Sequence, residues 1–212
     1  MELWDISPAL RPGTPAFPGD TPYREERTWV LGPDCPVNVG AITLSTHAGS
    51  HADAPLHYDA NGAPAGAFEL ARFIGPARVV DLRGLGPLVR PDHLAAALAR
   101  PVRRLLLRTY ERMPQDQWVQ DFTAIDPAAI DFMAAHGVDL IGTDAASVDP
   151  ATSKTLDAHM AVRRHGMLIL ENLVLDHVPP GDYELIALPL KLMNMDAAPL
   201  RAVLRPLPSP TS

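Results

Sequence analysis

The chain has 212 residues, a length that suits one domain, and 47% of them are hydrophobic, which is enough for a packed core. Its formal net charge of −7 disfavours nucleic acid and anionic membrane surfaces as partners. We expect a cytoplasmic protein, because Cys35 is the only cysteine, the first residues lack the features of a signal peptide, and no run of about 18 apolar residues occurs.

The first half of the chain contains short strands joined by rigid loops. The alternating and apolar segments predict one helical turn at 67–73 and strands at 3–6, 24–31, 38–44 and 77–82. A loop over about 11–22 is rich in proline and glycine, which makes it rigid and non-repetitive. The loop presents one aromatic side chain, Phe17, either as an anchor in the core or as a hydrophobic wall for a flat substrate.

The second half of the chain adds helices between the strands. Helices are predicted at 91–98, 126–137 and 151–164, and strands at 103–108, 138–144, 166–171, 183–190 and 201–204. The middle helix has Asp126 as its N-cap and Gly137 as its C-terminal stop. The proline-rich tail, 205–212, is expected to be extended or frayed. Because strands outnumber interspersed helices, we predict one mixed α/β domain over 1–212, organised on a sheet.

The stretch from Ser45 to His57 concentrates side chains that bind metal ions or move protons. It holds three of the eight histidines, His47, His51 and His57, together with the carboxylate of Asp53. Neutral imidazole nitrogens and carboxylate oxygens are ligands that Zn²⁺ and Mn²⁺ accept at neutral pH. Small residues between them let the backbone fold tightly around an ion, so we expect His47, His51 and Asp53 to be ligands. His57 lies beyond a proline and is the better candidate for a free acid or base.

Two residues far along the chain could complete this site. Glu171 ends an apolar strand, where a carboxylate is costly to bury unless it is paired or bound to a metal. His159 lies on the helix before that strand. Together with the loop they make three imidazoles and two carboxylates, enough for two bridged ions about 3.5–4 Å apart, as in two-metal hydrolases. Sequence spacing does not decide whether His159 and Glu171 fold back onto the loop.

The run from His47 to His57 resembles the signature of the metal-dependent cyclase family of hydrolases. In that signature a histidine precedes the pattern Gly-Thr/Ser-His-x-Asp-x-Pro-x-His, matched here by Gly-Ser-His-Ala-Asp-Ala-Pro-Leu-His. The resemblance extends to the bacterial kynurenine formamidases (arylformamidases) within the family. The supporting stretches cover nearly the whole chain in order: 3–7, 17–22, 36–39, 53–58, 141–144, 170–173 and 181–191.

The resemblance implies a binuclear metal site. His47 and His51 would bind one zinc ion, and His159 would bind the second. Asp53 and Glu171 would bridge the two ions. Manganese is the alternative metal, since the same donor atoms suit both ions.

The resemblance also implies the fold and the remaining roles. The family fold is a swivelling β/β/α domain, commonly a homodimer. His57 would be the proton donor and acceptor. Phe17 would face the substrate, although many relatives carry tryptophan in this loop, which leaves the fine substrate specificity open.

The implied reaction is hydrolysis of N-formyl-L-kynurenine to L-kynurenine and formate, so the expected partner is a small molecule. One alternative is another amide hydrolase of the family, such as an isatin hydrolase, whose metal loop would look the same. Another is a non-catalytic metal-binding module. His57 argues against the module, because a structural metal site needs ligands but no additional base. A serine hydrolase is disfavoured, since no Gly-x-Ser-x-Gly motif is present.

Overall fold

The computed structural model describes residues 2–207, and its main element is a curled sheet of nine strands. With the strands numbered in chain order, the sheet runs β1 (Trp4–Asp5), β13 (Val203–Pro206), β11 (Gly181–Ile186), β5 (Ile74–Asp81), β7 (Arg104–Arg108), β9 (Leu140–Thr143), β10 (Leu168–Glu171), β4 (His51–Asp53) and β12 (Ala197–Pro199). Two small ribbons accompany it: β2 (Arg24–Trp29) with β3 (Val39–Thr43), and β6 (Leu88–Val89) with β8 (Ala124–Ile125).

The centre of the sheet is parallel and is buried on both faces. Strands β5, β7, β9 and β10 pair in parallel, and the strands on either side of them are antiparallel. Side chains alternate between the two faces, so Leu105 and Leu107 pack in one apolar cluster while Leu106 packs in the other. The first cluster includes residues of the helices. The second joins side chains from most strands of the sheet, because the sheet curls.

Three α-helices cover the first cluster: α1 (Pro91–Leu94), α2 (Pro127–Ala135) and α3 (Asp157–His165). Short 3₁₀ turns occur at Pro55–His57, Ala65–Ala67 and Leu70–Phe73. The predicted cap of α2 is confirmed, since the Asp126 carboxylate accepts a hydrogen bond from the Ala128 N–H at 2.9 Å. Within residues 2–207, no helix has both the length and the apolar character needed to cross a membrane.

The predicted mixed α/β fold class is confirmed, but several predicted boundaries are wrong. The helix predicted over 151–164 begins only at Asp157, because Leu156 has a left-handed backbone with φ of 51°. The helix predicted over 91–98 ends at Leu94, and the strand predicted over 183–190 ends at Ile186. The predicted tail is corrected in part: residues 205–206 belong to β13, and residues 208–212 lie outside the described residues.

The metal-binding motif differs from its predicted form. We expected a tight loop after the strand at 38–44, but His51–Asp53 instead form β4, which pairs antiparallel with β10 and with β12. A three-residue strand is too short for its alternation to be recognised in a sequence. Its position is fixed by the two neighbouring strands, which come from much later in the chain.

Candidate metal centre and substrate cavity

Strand β4 places two of the predicted ligands side by side. His51 and Asp53 are two residues apart in a strand, so their side chains leave the same face of the sheet. Glu171, at the end of β10, lies opposite His51 in the strand register. The His51 Nε2 atom is 3.3 Å from Asp53 Oδ1 and 3.4 Å from Glu171 Oε2. All three side chains are buried.

The loop before β4 supplies His47. Its Nδ1 atom lies 3.0 Å from Asp53 Oδ1, on the same side of that carboxylate as His51. The loop returns sharply at Gly49, whose φ of +62° favours glycine. A Cβ atom at this position would lie 2.7 Å from Leu10 Cδ2, so a larger residue would also have to displace the Leu10 side chain.

The first turn of α3 brings in His159 from the other side. Its Nε2 atom is 3.3 Å from Asp53 Oδ2, the second oxygen of that carboxylate. The buried Asp149 carboxylate accepts hydrogen bonds from the Ala158 and His159 backbone N–H groups, at 3.0 Å each. It also holds the His159 ring through Nδ1 at 2.6 Å. Asp149 therefore fixes both the start of the helix and the orientation of the imidazole.

His57 stands at the end of a 3₁₀ turn, at the open side of the cluster. Its ring lies 4.3 Å from the His47 ring, centroid to centroid. One of its nitrogens is within 4.8 Å of ligand atoms of Asp53 and His159. Its Nδ1 is 3.4 Å from Oδ2 of Asp196, a residue that the sequence analysis did not select. The structure thus brings the five predicted ligands and His57 into one site.

The donor set fits a metal centre. His51 Nε2 and Asp53 Oδ1 are buried and have no hydrogen-bond partner among the described residues, an arrangement that is costly unless an ion satisfies them. Each of the three ligand histidines keeps one nitrogen towards the cluster and has an acceptor on the other, as is usual for metal ligands. The outer acceptors are Asp196 for His47, the Gly49 carbonyl for His51 and Asp149 for His159.

The electrostatics of the metal-free site follow from these contacts. Burial by itself would lower the pKa of His51, but the carboxylates of Asp53 and Glu171, which lie 3.3 Å and 3.4 Å from its Nε2 atom, outweigh this effect and raise the pKa to about 10. Burial also acts to lower the pKa of His159, and Asp149 and Asp53 raise it to about 10. Burial would raise the pKa of Asp53, yet the imidazoles of His159, His47 and His51 hold it well below its usual range. At neutral pH and without a bound metal, His51 and His159 therefore carry protons.

A cavity of about 340 Å³ opens above these side chains, and His47, His51, His57, His159 and Glu171 line it. Phe17, which is 51% exposed, lies on its wall. The Phe17 ring meets the edge of Trp118 at a centroid distance of 5.1 Å. Trp118 also lines the cavity, and its indole Nε1 is buried without a partner among the described residues. The predicted loop around 11–22 thus forms a wall of the cavity through Phe17.

Sequence reasoning missed three residues of this site: Trp118, Asp149 and Asp196. Trp118 had a usable signal, because it is one of only three tryptophans and lies in a polar stretch between predicted elements. The sequence around Asp149 and Asp196 carries no such signal, since isolated aspartates in loops are common. The contacts that single them out are all made with residues distant in the sequence or on another element.

The model of the Cyclase family, described as "Putative cyclase", matches residues 4–150, more than half of the chain. This match ends before His159, Glu171 and Asp196, so their placement in the site rests on the structure.

Solved structures with similar folds include a "potential metal-dependent hydrolase with cyclase activity", 26% identical, with a TM-score of 0.82 and 96% of each chain covered. A "predicted metal-dependent hydrolase from Bacillus stearothermophilus" is 25% identical, with a TM-score of 0.82 over 96% of this chain and 97% of that chain. Isatin hydrolase A from Labrenzia aggregata, 20% identical with a TM-score of 0.76 over 96% and 93% of the two chains, shares the fold.

Proposed function

The chain belongs to the Cyclase family, and we propose that it is a metal-dependent amidohydrolase that converts N-formyl-L-kynurenine to L-kynurenine and formate. Its fold is that of the metal-dependent hydrolases of this family. The proposal rests above all on one observation: five ligand-type side chains and a sixth, partly open imidazole meet at a cavity with an aromatic wall. The choice of substrate comes from the resemblance of the sequence to kynurenine formamidases.

The contacts of Asp53 support a site for two ions. Its Oδ1 faces His47 and His51, and its Oδ2 faces His159, so the carboxylate divides the imidazoles into two sets. Glu171 offers Oε2 from the adjacent strand, while its Oε1 accepts the Val148 N–H at 2.9 Å. When bound, two zinc or manganese ions would polarise the formyl carbonyl and make water nucleophilic near neutral pH.

His57 is proposed to move the proton. The ring would take a proton from the attacking water and deliver it to the aniline nitrogen as the C–N bond breaks. This transfer is needed because an unprotonated amine is a poor leaving group. Its open position beside the buried ligands suits the role, since a proton carrier must reach both the water and the substrate.

The aromatic wall is proposed to hold the aryl ring of the substrate. Phe17 and Trp118 meet edge to face on the cavity wall, and such rings favour a flat aromatic ligand. Trp118 supplies a large aromatic surface next to Phe17, in a cavity where the resemblance alone implied only the residue at position 17.

Metal analysis and an ultraviolet assay of the purified protein with N-formyl-L-kynurenine test the proposal, with isatin assayed in parallel. We expect metal in the active protein, loss of hydrolysis after chelation, and recovery with Zn²⁺ or Mn²⁺. Full activity in a metal-free sample would overturn the metal-hydrolase assignment. Turnover of isatin without turnover of N-formyl-L-kynurenine would make isatin the substrate in place of N-formyl-L-kynurenine. Metal binding without hydrolysis of either compound would favour a non-catalytic metal-binding module.

A further inference from the structure

Asp196 joins two imidazoles of the site through one carboxylate oxygen. Its Oδ2 lies 3.0 Å from His47 Nε2 and 3.4 Å from His57 Nδ1. Its other oxygen, Oδ1, accepts a hydrogen bond from the Thr46 hydroxyl at 3.0 Å. One carboxylate therefore contacts both a proposed metal ligand and the proposed proton carrier.

The backbone holds Asp196 in this place. The residue precedes β12, whose first position pairs with Asp53 in β4, and the Asp196 carbonyl accepts the Ala54 N–H at 2.8 Å. Because Oδ1 is held by Thr46, the direction in which Oδ2 points is fixed as well. Asp196 is thus an oriented carboxylate acceptor.

The outer partners of the other two ligand histidines differ from Asp196 in one respect. Among residues 2–207, the Gly49 carbonyl is hydrogen-bonded to the His51 ring, and the Asp149 carboxylate is hydrogen-bonded to the His159 ring and to the N–H groups at the start of α3. Within the same residues, neither group has a hydrogen bond to His57. If Asp196 served only to support a metal ligand, contact with His47 alone would suffice.

We propose that Asp196 is the positioning residue of His57, and that it sets the tautomer in which this ring works. A carboxylate can only accept a hydrogen bond, so the facing Nδ1 of His57 must carry the proton. In the neutral ring Nε2 is then unprotonated and free to accept a proton. During hydrolysis Nε2 would take one proton from water and give it to the leaving nitrogen, while Nδ1–H stays bonded to Asp196. This inference rests on the proposed amide hydrolysis.

Histidine tautomers in the ¹⁵N-labelled protein test the proposal without a substrate. In the parent, in both metal-free and metal-loaded samples, we expect the neutral His57 ring to show a pyrrole-type shift at Nδ1 and a pyridine-type shift at Nε2. The signals can be assigned by their loss in His57→Ala. Asp196→Ala and Asp196→Asn should move the ring towards the Nε2–H tautomer. Asp149→Asn is the matched control, since it removes a carboxylate behind a ligand histidine without touching His57, and should leave its tautomer unchanged.

Kinetics at full metal occupancy separate positioning of His57 from support of His47. With metal content measured to be equal to that of the parent, Asp196→Asn should lower kcat about 10–100-fold, with a much smaller change in KM. The assay uses N-formyl-L-kynurenine, or isatin if the parent hydrolyses isatin instead, so failure of the substrate assignment is seen separately in the parent. An unchanged His57 tautomer in both Asp196 variants would overturn the proposal. Recovery of parental kcat at saturating metal would also overturn it.

Discussion

His57 differs from the other imidazoles of the site in its exposure, and this difference predicts its behaviour when removed. His51 and His159 are buried among carboxylates, whereas His57 faces the open cavity. We expect His57→Ala to keep its metal and to lose turnover about 10²–10⁴-fold, the usual contribution of a positioned acid–base group. Metal analysis and steady-state kinetics measure both quantities.

The control for this prediction is His165→Ala, because His165 pairs with Asp131 on the surface, 2.7 Å away, and lies outside the site. It should keep both metal and turnover. Loss of one ion per chain in His57→Ala would instead make His57 a ligand. Near-normal turnover in the fully metallated variant would remove it from the mechanism.

Phe17 and Trp118, the two aromatic residues of the cavity wall, lead to a second prediction at the scale of the residue. Phe17→Leu and Trp118→Leu keep apolar bulk but remove the ring contact, which is worth about 0.5–1.5 kcal/mol beyond buried area. We therefore expect KM to rise roughly 2–10-fold with a smaller change in kcat, because 1.4 kcal/mol corresponds to a factor of ten. Trp29→Phe is the control, since Trp29 lies on the exposed β2–β3 ribbon. Unchanged KM in both cavity variants would exclude an aryl-binding wall.

At the level of secondary-structure elements, the packing of β9 between β7 and β10 depends on Gly142. A Cβ atom there would overlap Leu106 Cδ2 and would lie 2.8 Å from Leu173 Cδ1, both in the core. Gly142→Ala should lower the free energy of unfolding by about 1–3 kcal/mol through overpacking. Urea denaturation measures this change.

Gly40→Ala is the matched glycine control for that measurement. Gly40 lies in the exposed strand β3, and a Cβ there would meet its nearest neighbour, the Glu26 carbonyl oxygen, at an ordinary 3.4 Å. We expect a change within about 0.5 kcal/mol, as is usual for surface positions. Equal losses of unfolding free energy in Gly142→Ala and Gly40→Ala would show that overpacking around β9 does not cause the loss in Gly142→Ala.

Element types were predicted better than element ends. The apolar runs of the parallel strands and the capping of α2 by Asp126 are local signals, and the structure confirms both. The start of α3 was not predictable, because Leu156 takes a left-handed conformation that its sequence neighbours do not require. Strand β4 was missed because its register is set by β10 and β12, not by its own three residues.

At the scale of the whole molecule, metal binding should depend on pH. His51 and His159 have pKa values raised from about 6.5 to about 10 in the metal-free fold. Their ion pairs therefore stabilise that fold fully below about pH 6.5, and this stabilisation is lost as the pH rises through about 10. Because metal binding requires neutral imidazoles, apparent metal affinity should increase with pH over the same window.

Calorimetric titration with Zn²⁺ in two buffers of different ionisation enthalpy measures this effect. We expect proton release on binding and a higher apparent affinity at pH 8 than at pH 6. The His165→Ala variant should behave like the parent, since that ring lies outside the site. Binding without proton release, at a constant affinity, would contradict protonated histidines in the metal-free site.

The homodimer implied by the resemblance remains a prediction for the whole molecule. The chain has a mass of 22.9 kDa. Light scattering coupled to size exclusion should therefore give about twice this mass over a range of protein concentrations. A single species with the mass of one chain would contradict the expectation.

The sequence by itself indicated the family and the candidate metal ligands more closely than it indicated their arrangement in space. The run from His47 to His57 supplied candidate ligand types, and its resemblance to the signature of the cyclase family pointed to the family that the match over residues 4–150 shows. The alternation of predicted strands and helices, which is also a local feature of the chain, indicated the fold class.

The resemblance implied His159 and Glu171 as distant ligands, and only the tertiary structure showed that Asp149, Asp196 and Trp118 join them. All five residues reach the site through strand register, helix placement and loop contacts. Such contacts connect residues separated by up to 150 positions, as between Thr46 and Asp196. No local pattern encodes them, because strand pairing and burial depend on the packing of the entire sheet. The acceptor shared by His47 and His57 is therefore visible only in the folded chain.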